Sequence, residues 1–347
     1  MRIADRPVGP GVRPFVIAEM SGNHNQSLDR ALAIVDAAAD ARVDALKLQT
    51  YSPDTMTIDL DEREFHIADP ASPWTGRSLY RLYGEACTPW EWHAPLFARA
   101  RARGLIAFST PFDESAVTFL ESLDVPCYKI ASFENTDLPL IRRVAATGKP
   151  VIISTGMASQ PELEDAVAAA RGAGCRDLVL LKCTSTYPAS PEHSNLATIP
   201  DLRARFDCEI GLSDHTAGTA VAIAAVALGA TMIEKHLTLA RADGGPDGAF
   251  SLEPAEMAEV VRGAKLAFAA LGDGSARRPA AESGSRKFRR SLYAVEDIAP
   301  GEPLTRSNVR SIRPGFGLPP RVLPTVLGRR AKQAIVRGTA LAWEMIE

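Results

Sequence analysis

The sequence has little that would direct the protein to a membrane or to nucleic acid. Its 347 residues carry 39 lysines and arginines against 42 aspartates and glutamates, a formal charge of −3. This balance gives no broad cationic surface of the kind that nucleic acid or an anionic membrane attracts. No apolar run approaches the ~20 uncharged residues of a membrane span, and residues 1–14 contain no apolar signal segment. We therefore expect a cytoplasmic protein that acts on small molecules, with neither nucleic acid nor membrane as a partner.

Cysteine is also scarce. The five cysteines, at positions 87, 127, 175, 183 and 208, are odd in number and form no C-x-x-C pair or zinc-finger spacing. A disulfide framework and a structural zinc site are therefore not expected, and the pattern suits a reducing compartment. We interpret these cysteines as packing residues.

What the sequence does contain is a regular alternation of strand and helix patterns. Eight short segments rich in valine, isoleucine and leucine are each followed by a turn and then by an alanine-rich helical pattern. They cover residues 15–21, 44–50, 105–111, 127–132, 150–156, 178–185, 209–215 and 231–236. Eight such units predict an α/β fold, a parallel (β/α)₈ TIM barrel.

The composition changes after residue 272. Residues 273–287 are polar and rich in glycine, serine and arginine, which is typical of a flexible linker. Residues 288–347 combine short strand patterns with many glycine and proline turns. We therefore predict a catalytic barrel over 1–272, a linker over 273–287 and a small β-rich module over 288–347.

Polar residues collect at the carboxyl ends of all eight predicted strands. They are Glu19, Lys47, Gln49, Ser109, Thr110, Lys129, Ser132, Ser154, Thr184, Ser185, Ser213, His215, Glu234 and His236. One such residue is usually a turn residue or a helix cap, but these ends converge on one face of a barrel, where the active sites of this fold lie. The pattern therefore indicates an active site.

Two histidines of this set are placed to share a divalent metal. Side chains alternate along a strand, so Ser213 shares a face with His215 and Glu234 with His236, whereas Lys235 lies on the outer face. His215 and His236 could bind one metal ion through imidazole nitrogens, with support from Asp214 or Asp247. The alternative is a pair of hydrogen-bonded core histidines.

The lysines and hydroxyls of the same set form a bowl suited to a multiply charged anion. Its members are Lys47, Lys129, Ser132, Ser154 and Ser213. Two other interpretations remain open: the lysines pair structurally with Glu19 or Glu134, or one of them forms a Schiff base with substrate. The glycine-rich loop 241–254 has no phosphate-loop spacing and is interpreted as a mobile lid that contacts a sugar, with Asp247 on its inner side.

Several motifs along the chain carry a family resemblance. IAEMSGNHN, ALKLQTY, STPFD, YKIAS, STGMAS, GLSDHT, IEKH and SLEP occur in this order and together resemble the sialic acid (N-acetylneuraminate) synthase family. SLYAVEDIAPGEPL and IRPGFGL are similar to its antifreeze-like SAF module, which has a β-clip fold. SPWTGRSLYRLY, TPWEWH, IASFENTDLPLI and RADGGPDGAFSLEP look most like the pseudaminic acid synthase branch. The resemblance covers nearly the whole chain.

This resemblance implies a reaction and a set of roles. Such enzymes are transferases that join phosphoenolpyruvate to an open-chain acetamido sugar aldehyde. Phosphoenolpyruvate would contact Lys47, Thr110, Lys129, Ser132, Ser154, Ser185 and Ser213, and the sugar would contact Asn25, Gln49, Tyr187, Asp247 and Arg313. Mn²⁺, Mg²⁺ or Co²⁺ would bind His215 and His236, which with Lys129 and Glu134 would be catalytic. Arg313 would reach the site of the other subunit in a domain-swapped homodimer.

Two departures from the sialic acid synthase pattern bear on the sugar. Asn25 stands where those synthases often have glutamate, and Ser185 stands where they often have asparagine. Both agree with 2,4-diacetamido-2,4,6-trideoxy-L-altrose as the sugar rather than N-acetylmannosamine. The resemblance thus implies synthesis of pseudaminate, with synthesis of N-acetylneuraminate or legionaminate by the same mechanism as the alternative.

Overall fold

The computed structural model describes residues 1–70, 72–277 and 279–347. The chain divides into two compact units, Met1–Gly272 and Asp273–Glu347. The first unit opens with a short antiparallel pair, β1 (Arg2–Ile3) and β2 (Arg6–Pro7). None of the helices in the described ranges has the length and apolar character that a bilayer crossing requires.

Eight parallel strands follow and close into a barrel, which confirms the predicted fold. They are β3 (Phe15–Glu19), β4 (Ala45–Thr50), β5 (Ile106–Pro111), β6 (Tyr128–Ile130), β7 (Val151–Ser154), β8 (Leu178–Cys183), β9 (Glu209–Asp214) and β10 (Met232–His236). Each strand pairs with the next along the chain, and β10 pairs with β3 so that His236 lies opposite Glu19. The strands are buried almost throughout, as expected where side chains fill the interior and helices cover the outside.

Helices connect the strands and pack around the barrel. They are α1 (Leu28–Asp40), α2 (Pro53–Met56), α3 (Leu79–Ala86), α4 (Trp90–Ala102), α5 (Glu114–Ser122), α6 (Leu138–Ala145), α7 (Gln160–Gly172), α8 (Thr198–Phe206), α9 (Ala220–Ala227) and α10 (Pro254–Leu271). Side chains cap several helix starts: Ser27, Asp113 and Ser159 accept hydrogen bonds from amides in the first turn. These caps fix where each helix leaves its loop, and the loops carry part of the cavity described below.

Short 3₁₀ segments occupy several of the loops. They are Ser21–His24, Arg63–Phe65, Ser132–Glu134, Pro191–His193, Arg241–Asp243, Gly248–Phe250, Ala280–Phe288, Pro320–Val322 and Trp343–Met345. Two of them, Ser21–His24 and Ser132–Glu134, directly follow barrel strands and turn the chain across the carboxyl end of the barrel.

The second unit has its own small core. Strands β11 (Ser291–Ala294) and β12 (Val309–Ile312) pair antiparallel, and α11 (Leu323–Val326) is its short helix. The buried side chains include Leu292, Ile298, Leu304, Val326 and Leu341. This is the β-rich module that the sequence predicts. Residues 273–287 are counted with this unit and contain most of the 3₁₀ segment Ala280–Phe288.

Candidate active site

A cavity at the carboxyl end of the barrel gathers most of the predicted site residues. Those that line it are Lys47, Gln49, Lys129, Ser132, Glu134, Ser154, Tyr187, Ser213, His215, His236 and Asp247. They come from strands β4, β6, β7, β9 and β10 and from the loops that follow the strands. Because parallel strands all point the same way, residues up to 200 positions apart meet at this one end of the barrel.

Four predicted site residues lie elsewhere. Thr110 is buried beneath the cavity, where its Oγ1 accepts a hydrogen bond from Lys47 Nζ at 3.1 Å. Ser185 lies beside Cys183, with 3.8 Å between Oγ and Sγ. Asn25 does not line the cavity, since its Nδ2 donates to the Asp243 carbonyl in the loop 241–254 at 3.4 Å. Arg313 belongs to the second unit and is exposed.

The floor of the cavity is a buried network of two lysines and two carboxylates, which we call the charged floor: Glu19, Lys47, Lys129 and Glu234. Lys47 Nζ lies 2.7 Å from Glu19 and 3.7 Å from Glu234, and Lys129 Nζ lies 3.9 Å from Glu234. The predicted pairing of a lysine with Glu19 is therefore present, whereas neither lysine forms an ion pair with Glu134 in the described structure. The network places two lysines against two carboxylates, and burial lowers the pKa of Lys129 in spite of the attraction of Glu234.

Burial shifts the proton equilibria of this floor. It raises the pKa of Glu19 to about 7, against the opposing attraction of Lys47. Burial by itself disfavours the charged form of Lys47, but the attraction of Glu19 and Glu234 together outweighs it and raises the pKa of this lysine. A lysine held as ammonium is a poor nucleophile. The geometry therefore favours an electrostatic role for Lys47 over a Schiff base.

Hydroxyl and amide donors complete the floor. Lys129 Nζ donates to Ser154 Oγ at 2.6 Å, Ser213 Oγ donates to Glu234 at 3.0 Å, and Gln49 Nε2 donates to Glu19 at 3.0 Å. Gly156 follows β7 where any side chain would collide, because a Cβ atom there would come within 2.1 Å of Ser185 Oγ and 2.6 Å of Ser132 Oγ. Ser132 and Ser185 therefore both lie against the Gly156 backbone.

The two histidines lie side by side above the floor. The His215 and His236 ring centroids are 5.3 Å apart. His215 Nδ1 lies 3.1 Å from the Thr184 carbonyl, which can only accept, so Nδ1 carries the proton and Nε2 keeps a free lone pair. Burial and the neighbouring His215 hold the pKa of His236 well below its usual range, and its Nδ1 has no hydrogen-bond partner. His236 thus has a lone pair to offer. Burial by itself would lower the pKa of His215, but the contact with Cys183 outweighs burial and raises it, so Nε2 offers its lone pair when that ring is unprotonated.

The two candidate supporting acids differ. Asp214 points away from the histidines: it pairs with Lys235 at 2.9 Å and accepts from the Thr216 amide. Its proposed support of a metal is wrong, because it lies on the opposite face of β9 from Ser213 and His215. Asp247 lines the same cavity as the histidines and accepts hydrogen bonds from Ser21 Oγ and, at 3.2 Å, from the Gly22 amide.

The histidine pair fits a divalent metal that is only partly held by protein. Over the described residues, no group of three or more histidine, cysteine or acidic side chains is arranged to hold a metal ion. Two imidazole nitrogens with an unpartnered Nδ1 at His236 nevertheless suit a site whose remaining positions are open to water or substrate oxygens. Open positions of this kind are characteristic of catalytic metals rather than structural ones.

Glu134 faces the cavity from the 3₁₀ segment that follows β6. Burial raises the pKa of this carboxyl to about 7, with Lys129 opposing the shift, and its Oε2 has no hydrogen-bond partner. A carboxyl that titrates near neutrality is well placed to exchange a proton with a reacting group. This environment is consistent with the catalytic role that the resemblance implies.

Cys183 differs from the packing role expected for the cysteines. All five cysteines are free, but the Sγ of Cys183 lies 3.8 Å from His215 Nδ1. Burial alone would raise the pKa of this thiol, but the contact with His215 outweighs burial and lowers it to about 7. Cys183 is thus a neighbour of the histidine pair.

One side of the cavity was missed by sequence reasoning. The segment between β4 and α4 lines it with apolar and aromatic side chains, of which we call Met56, Ile67, Trp74 and Leu79 the apolar wall. Trp74 packs against Tyr187 at a ring-centroid distance of 5.7 Å, and Tyr187 packs against His215 at 4.6 Å. The segment contains two short helices, α2 and α3, that the sequence analysis did not predict, and the available signal was the motif SPWTGRSLYRLY, to which no role was assigned.

Comparison with known proteins agrees with this site. The chain matches the NeuB family over residues 34–276 and the SAF domain over residues 289–347. It is 43% identical over 327 residues to a pseudaminic acid synthase of Campylobacter jejuni, covering 94% of this chain and 95% of that protein. It is 42% identical to a pseudaminic acid synthase of Helicobacter pylori, covering 96% and 98%.

A solved structure gives the same result for the fold. The N-acetylneuraminic acid synthetase of Leptospira borgpetersenii, crystallised with citrate, superposes with a TM-score of 0.74 at 31% identity, covering 82% of this chain and 94% of that one. The matched regions include the barrel strands that build the cavity from β4 onward. The chain therefore belongs to the NeuB family of synthases and carries a SAF domain at its C-terminal end.

Proposed function

We propose that this chain condenses phosphoenolpyruvate with 2,4-diacetamido-2,4,6-trideoxy-L-altrose and water, to give pseudaminate and phosphate. This is a transferase reaction of the alkyl-transferring type. The observation that carries the proposal is the cavity itself, in which two lysines on the floor lie beneath an adjacent pair of histidines. The similarity to two pseudaminic acid synthases supports the choice of sugar.

Phosphoenolpyruvate binds over the charged floor. Its carboxylate and phosphate carry up to three negative charges, which the ammonium groups of Lys47 and Lys129 offset. The hydroxyls of Ser132, Ser154 and Ser213 supply neutral donors around them. Thr110 acts from below by holding Lys47 in place. Ser185 reaches the same region beside Gly156.

His215 and His236 would hold the divalent metal, Mn²⁺, Mg²⁺ or Co²⁺. When bound, this ion supplies Lewis acidity that polarises the aldehyde oxygen of the sugar. The protein's own contribution is to orient the rings: the Thr184 carbonyl holds Nδ1 of His215, and burial keeps His236 unprotonated. Tyr187 packs on His215 and limits its rotation.

The sugar aldehyde then lies between the histidines and the apolar wall, near Gln49, Tyr187 and Asp247. C3 of the enol attacks C1 of the aldehyde, a C–C bond forms, and the aldehyde oxygen becomes an alkoxide, which gains the proton that the addition of water in the next step releases. Positive charge develops at C2 of the former phosphoenolpyruvate. Holding the two substrates in a single orientation is worth several kcal/mol of the barrel's catalytic effect.

Glu134 is the group we assign to the next step. Its carboxylate stabilises the positive charge at C2 and accepts a proton from the water that adds there. The resulting tetrahedral centre carries a hydroxyl and the phosphate ester. Its C–O bond breaks, phosphate leaves with the bridging oxygen and takes up the proton of the hydroxyl, and the 2-keto acid forms. Lys129, which faces the same side of the cavity, offsets the charge of the departing phosphate.

Arg313 enters the site from a second subunit. In its own unit the guanidinium is exposed and forms no hydrogen bond or ion pair with any described residue, and Phe316 nearby is 70% exposed. These are properties of a segment that binds elsewhere. We propose a domain-swapped homodimer in which this segment contacts the sugar in the partner's barrel.

The test is release of inorganic phosphate from phosphoenolpyruvate with each of three sugars: the trideoxy altrose, the corresponding legionaminate precursor and N-acetylmannosamine. We expect the first to give the highest kcat/KM. A preference for either of the others assigns the chain to that synthesis instead. Phosphoenolpyruvate labelled with ¹⁸O at the bridging oxygen should release its label in phosphate, and label retained in the keto acid would contradict C–O cleavage.

A further inference from the structure

The cavity has two chemically different sides. The charged floor forms one of them. The apolar wall forms the other and comes entirely from the segment between β4 and α4, residues 51–89. In the described part of this segment no charged side chain lines the cavity. Each of the four wall residues is half-buried, so each presents apolar surface to whatever enters.

The wall cannot serve phosphoenolpyruvate, because both ends of that molecule are charged and lose hydration without gaining a partner there. It therefore faces the second substrate. A sugar hydroxyl placed against these four side chains likewise gives up water and finds no side-chain oxygen among them, whereas a methyl group gains from the same burial. Tyr51 and Tyr83 add phenol groups to the part of the lining that comes from this segment. The wall thus distinguishes a deoxygenated sugar carbon from a hydroxylated one.

Trp74 connects the wall to the loop 241–254. Its indole N–H donates to the Pro246 carbonyl at 2.7 Å. The next residue, Asp247, accepts hydrogen bonds from Ser21 Oγ and the Gly22 amide. Asp247 is therefore held from the β3 side through its carboxylate and from the wall through the backbone beside it.

We propose that the apolar wall selects the sugar by binding the methyl group of a deoxygenated carbon, and that Trp74 positions Asp247 for the same sugar. The inference rests on the proposed function, since it concerns the second substrate of that reaction. The segment 51–89 then determines which sugar binds, and the charged floor binds phosphoenolpyruvate.

The first experiment measures discrimination at one carbon. It compares kcat/KM for the trideoxy sugar with kcat/KM for the same sugar carrying a hydroxyl at C6. The wild-type chain should favour the deoxy sugar by about 100-fold, the usual discrimination of an apolar pocket against an added hydroxyl. Met56→Gln and Leu79→Asn place polar groups of similar size in the wall and should reduce this ratio to about tenfold, with the KM for phosphoenolpyruvate unchanged.

The second experiment isolates Trp74. Trp74→Phe keeps an aromatic ring and removes the N–H donor, so it should raise the KM for the sugar about fivefold and leave the KM for phosphoenolpyruvate within twofold. Tyr80→Phe is the matched control, because it removes a surface hydrogen bond to Asp54 (3.0 Å) from the same segment and does not line the cavity. Its kinetics should equal those of the wild type.

The outcomes test the apolar wall and Trp74 separately from the proposed function. Unchanged discrimination in wall variants that melt like the wild type overturns the assignment of the wall. An unchanged sugar KM in Trp74→Phe overturns the positioning role, and this variant remains informative even where a wall variant does not fold. A wild-type chain that releases phosphate with neither C6 form overturns the proposed function instead.

Discussion

The Nζ atom of Lys47 lies 2.7 Å from a carboxylate oxygen of Glu19, and the two side chains are 4% and 1% exposed. Glu234 approaches the same ammonium group to 3.7 Å from the other side. A buried pair of this kind is weak evidence for stability, because desolvation offsets much of the attraction. Its value lies in holding a charged lysine under the cavity before any anion arrives.

Replacing Lys47 therefore tests binding more than folding. Lys47→Met should weaken phosphoenolpyruvate affinity about 30-fold, equivalent to about 2 kcal/mol for a charge-assisted hydrogen bond. The chain should stay folded, because Glu19, whose pKa is already raised to about 7, can take up a proton when its partner is lost. Calorimetric titration with phosphoenolpyruvate measures the effect.

Lys235→Met is the matched control for that prediction. Lys235 is also a buried barrel lysine, paired with Asp214 at 2.9 Å, but it does not line the cavity. Its removal leaves Asp214 unpaired and should cost about 3 kcal/mol of stability, while the folded fraction binds phosphoenolpyruvate normally. Equal loss of affinity in both variants would show that the Lys47 effect is structural.

Glu134 should give the reaction a pH dependence. Burial raises the pKa of this carboxyl from its ordinary value of 4.5 to about 7, with Lys129 opposing and Asp137 reinforcing the shift. If its ionised form accepts the proton, kcat should rise as the pH increases through about 7 and level off above it. Glu134→Gln should lower kcat by about 100-fold and remove this limb from the pH profile.

The same raised pKa of Glu134 predicts that stability, unlike kcat, falls as the pH rises. Between pH 4.5 and about 7 the folded chain holds a proton at Glu134 that the unfolded chain has lost, so the stability contributed at this site falls as the pH rises through that window. The difference in the free energy of unfolding between the wild type and Glu134→Gln isolates the contribution of Glu134, because Glu19 is present in both chains. Denaturant unfolding at several pH values measures it, and a difference that does not decrease over this window contradicts the assigned shift.

Removal of metal should abolish activity. We expect a chelator to inactivate the enzyme and Mn²⁺, Mg²⁺ or Co²⁺ to restore it, with His236→Ala losing at least about 100-fold in Mn²⁺ affinity. His93→Ala is the control: His93 is also buried, its Nε2 lies 2.7 Å from Thr50 Oγ1, and it lies outside the cavity lining. Thermal melting should be measured for both variants to establish that they are folded, and a metal-stripped enzyme with full activity would refute the role of the pair.

Sequence periodicity was enough to predict the barrel. Each of the eight strands lies within its predicted segment, because valine-rich runs bounded by turns recur at the spacing of β/α units. The alternation of side chains along β9 also predicts that Asp214 does not face the histidines. Since Ser213 and His215 share one face of β9, Asp214 had to lie on the other, beside Lys235.

Contacts between distant parts of the chain could not be predicted from the sequence. Glu19 and Glu234 were recognised as strand-end residues, but their joint contact with Lys47 depends on β10 closing the barrel against β3. The Trp74 bond to Pro246 joins residues 172 positions apart, one of them in the stretch between α2 and α3. No local pattern in the sequence encodes such a pair, because it follows from how two loops fold over the same barrel end.

The last prediction concerns Arg313. An exposed guanidinium that forms no hydrogen bond or ion pair with the described residues could serve its own small fold as a surface group, but a role in the partner's active site predicts a specific recovery of activity in mixed dimers. His236→Ala chains and Arg313→Ala chains should each be inactive as homodimers. When they are unfolded together and reassembled at equal amounts, half of the dimers are mixed, and each mixed dimer contains one doubly damaged site and one intact site if the segment acts in trans.

Random reassembly should therefore recover about a quarter of wild-type activity. Arg306→Ala provides the control, because Arg306 is another exposed arginine of the same unit, and its removal should leave the homodimer fully active. If the segment acts in cis, no mixed dimer contains a whole site, and the mixture stays as inactive as its parents. That result would rule out the exchange, since active-site complementation requires Arg313 of one subunit to reach the barrel of the other.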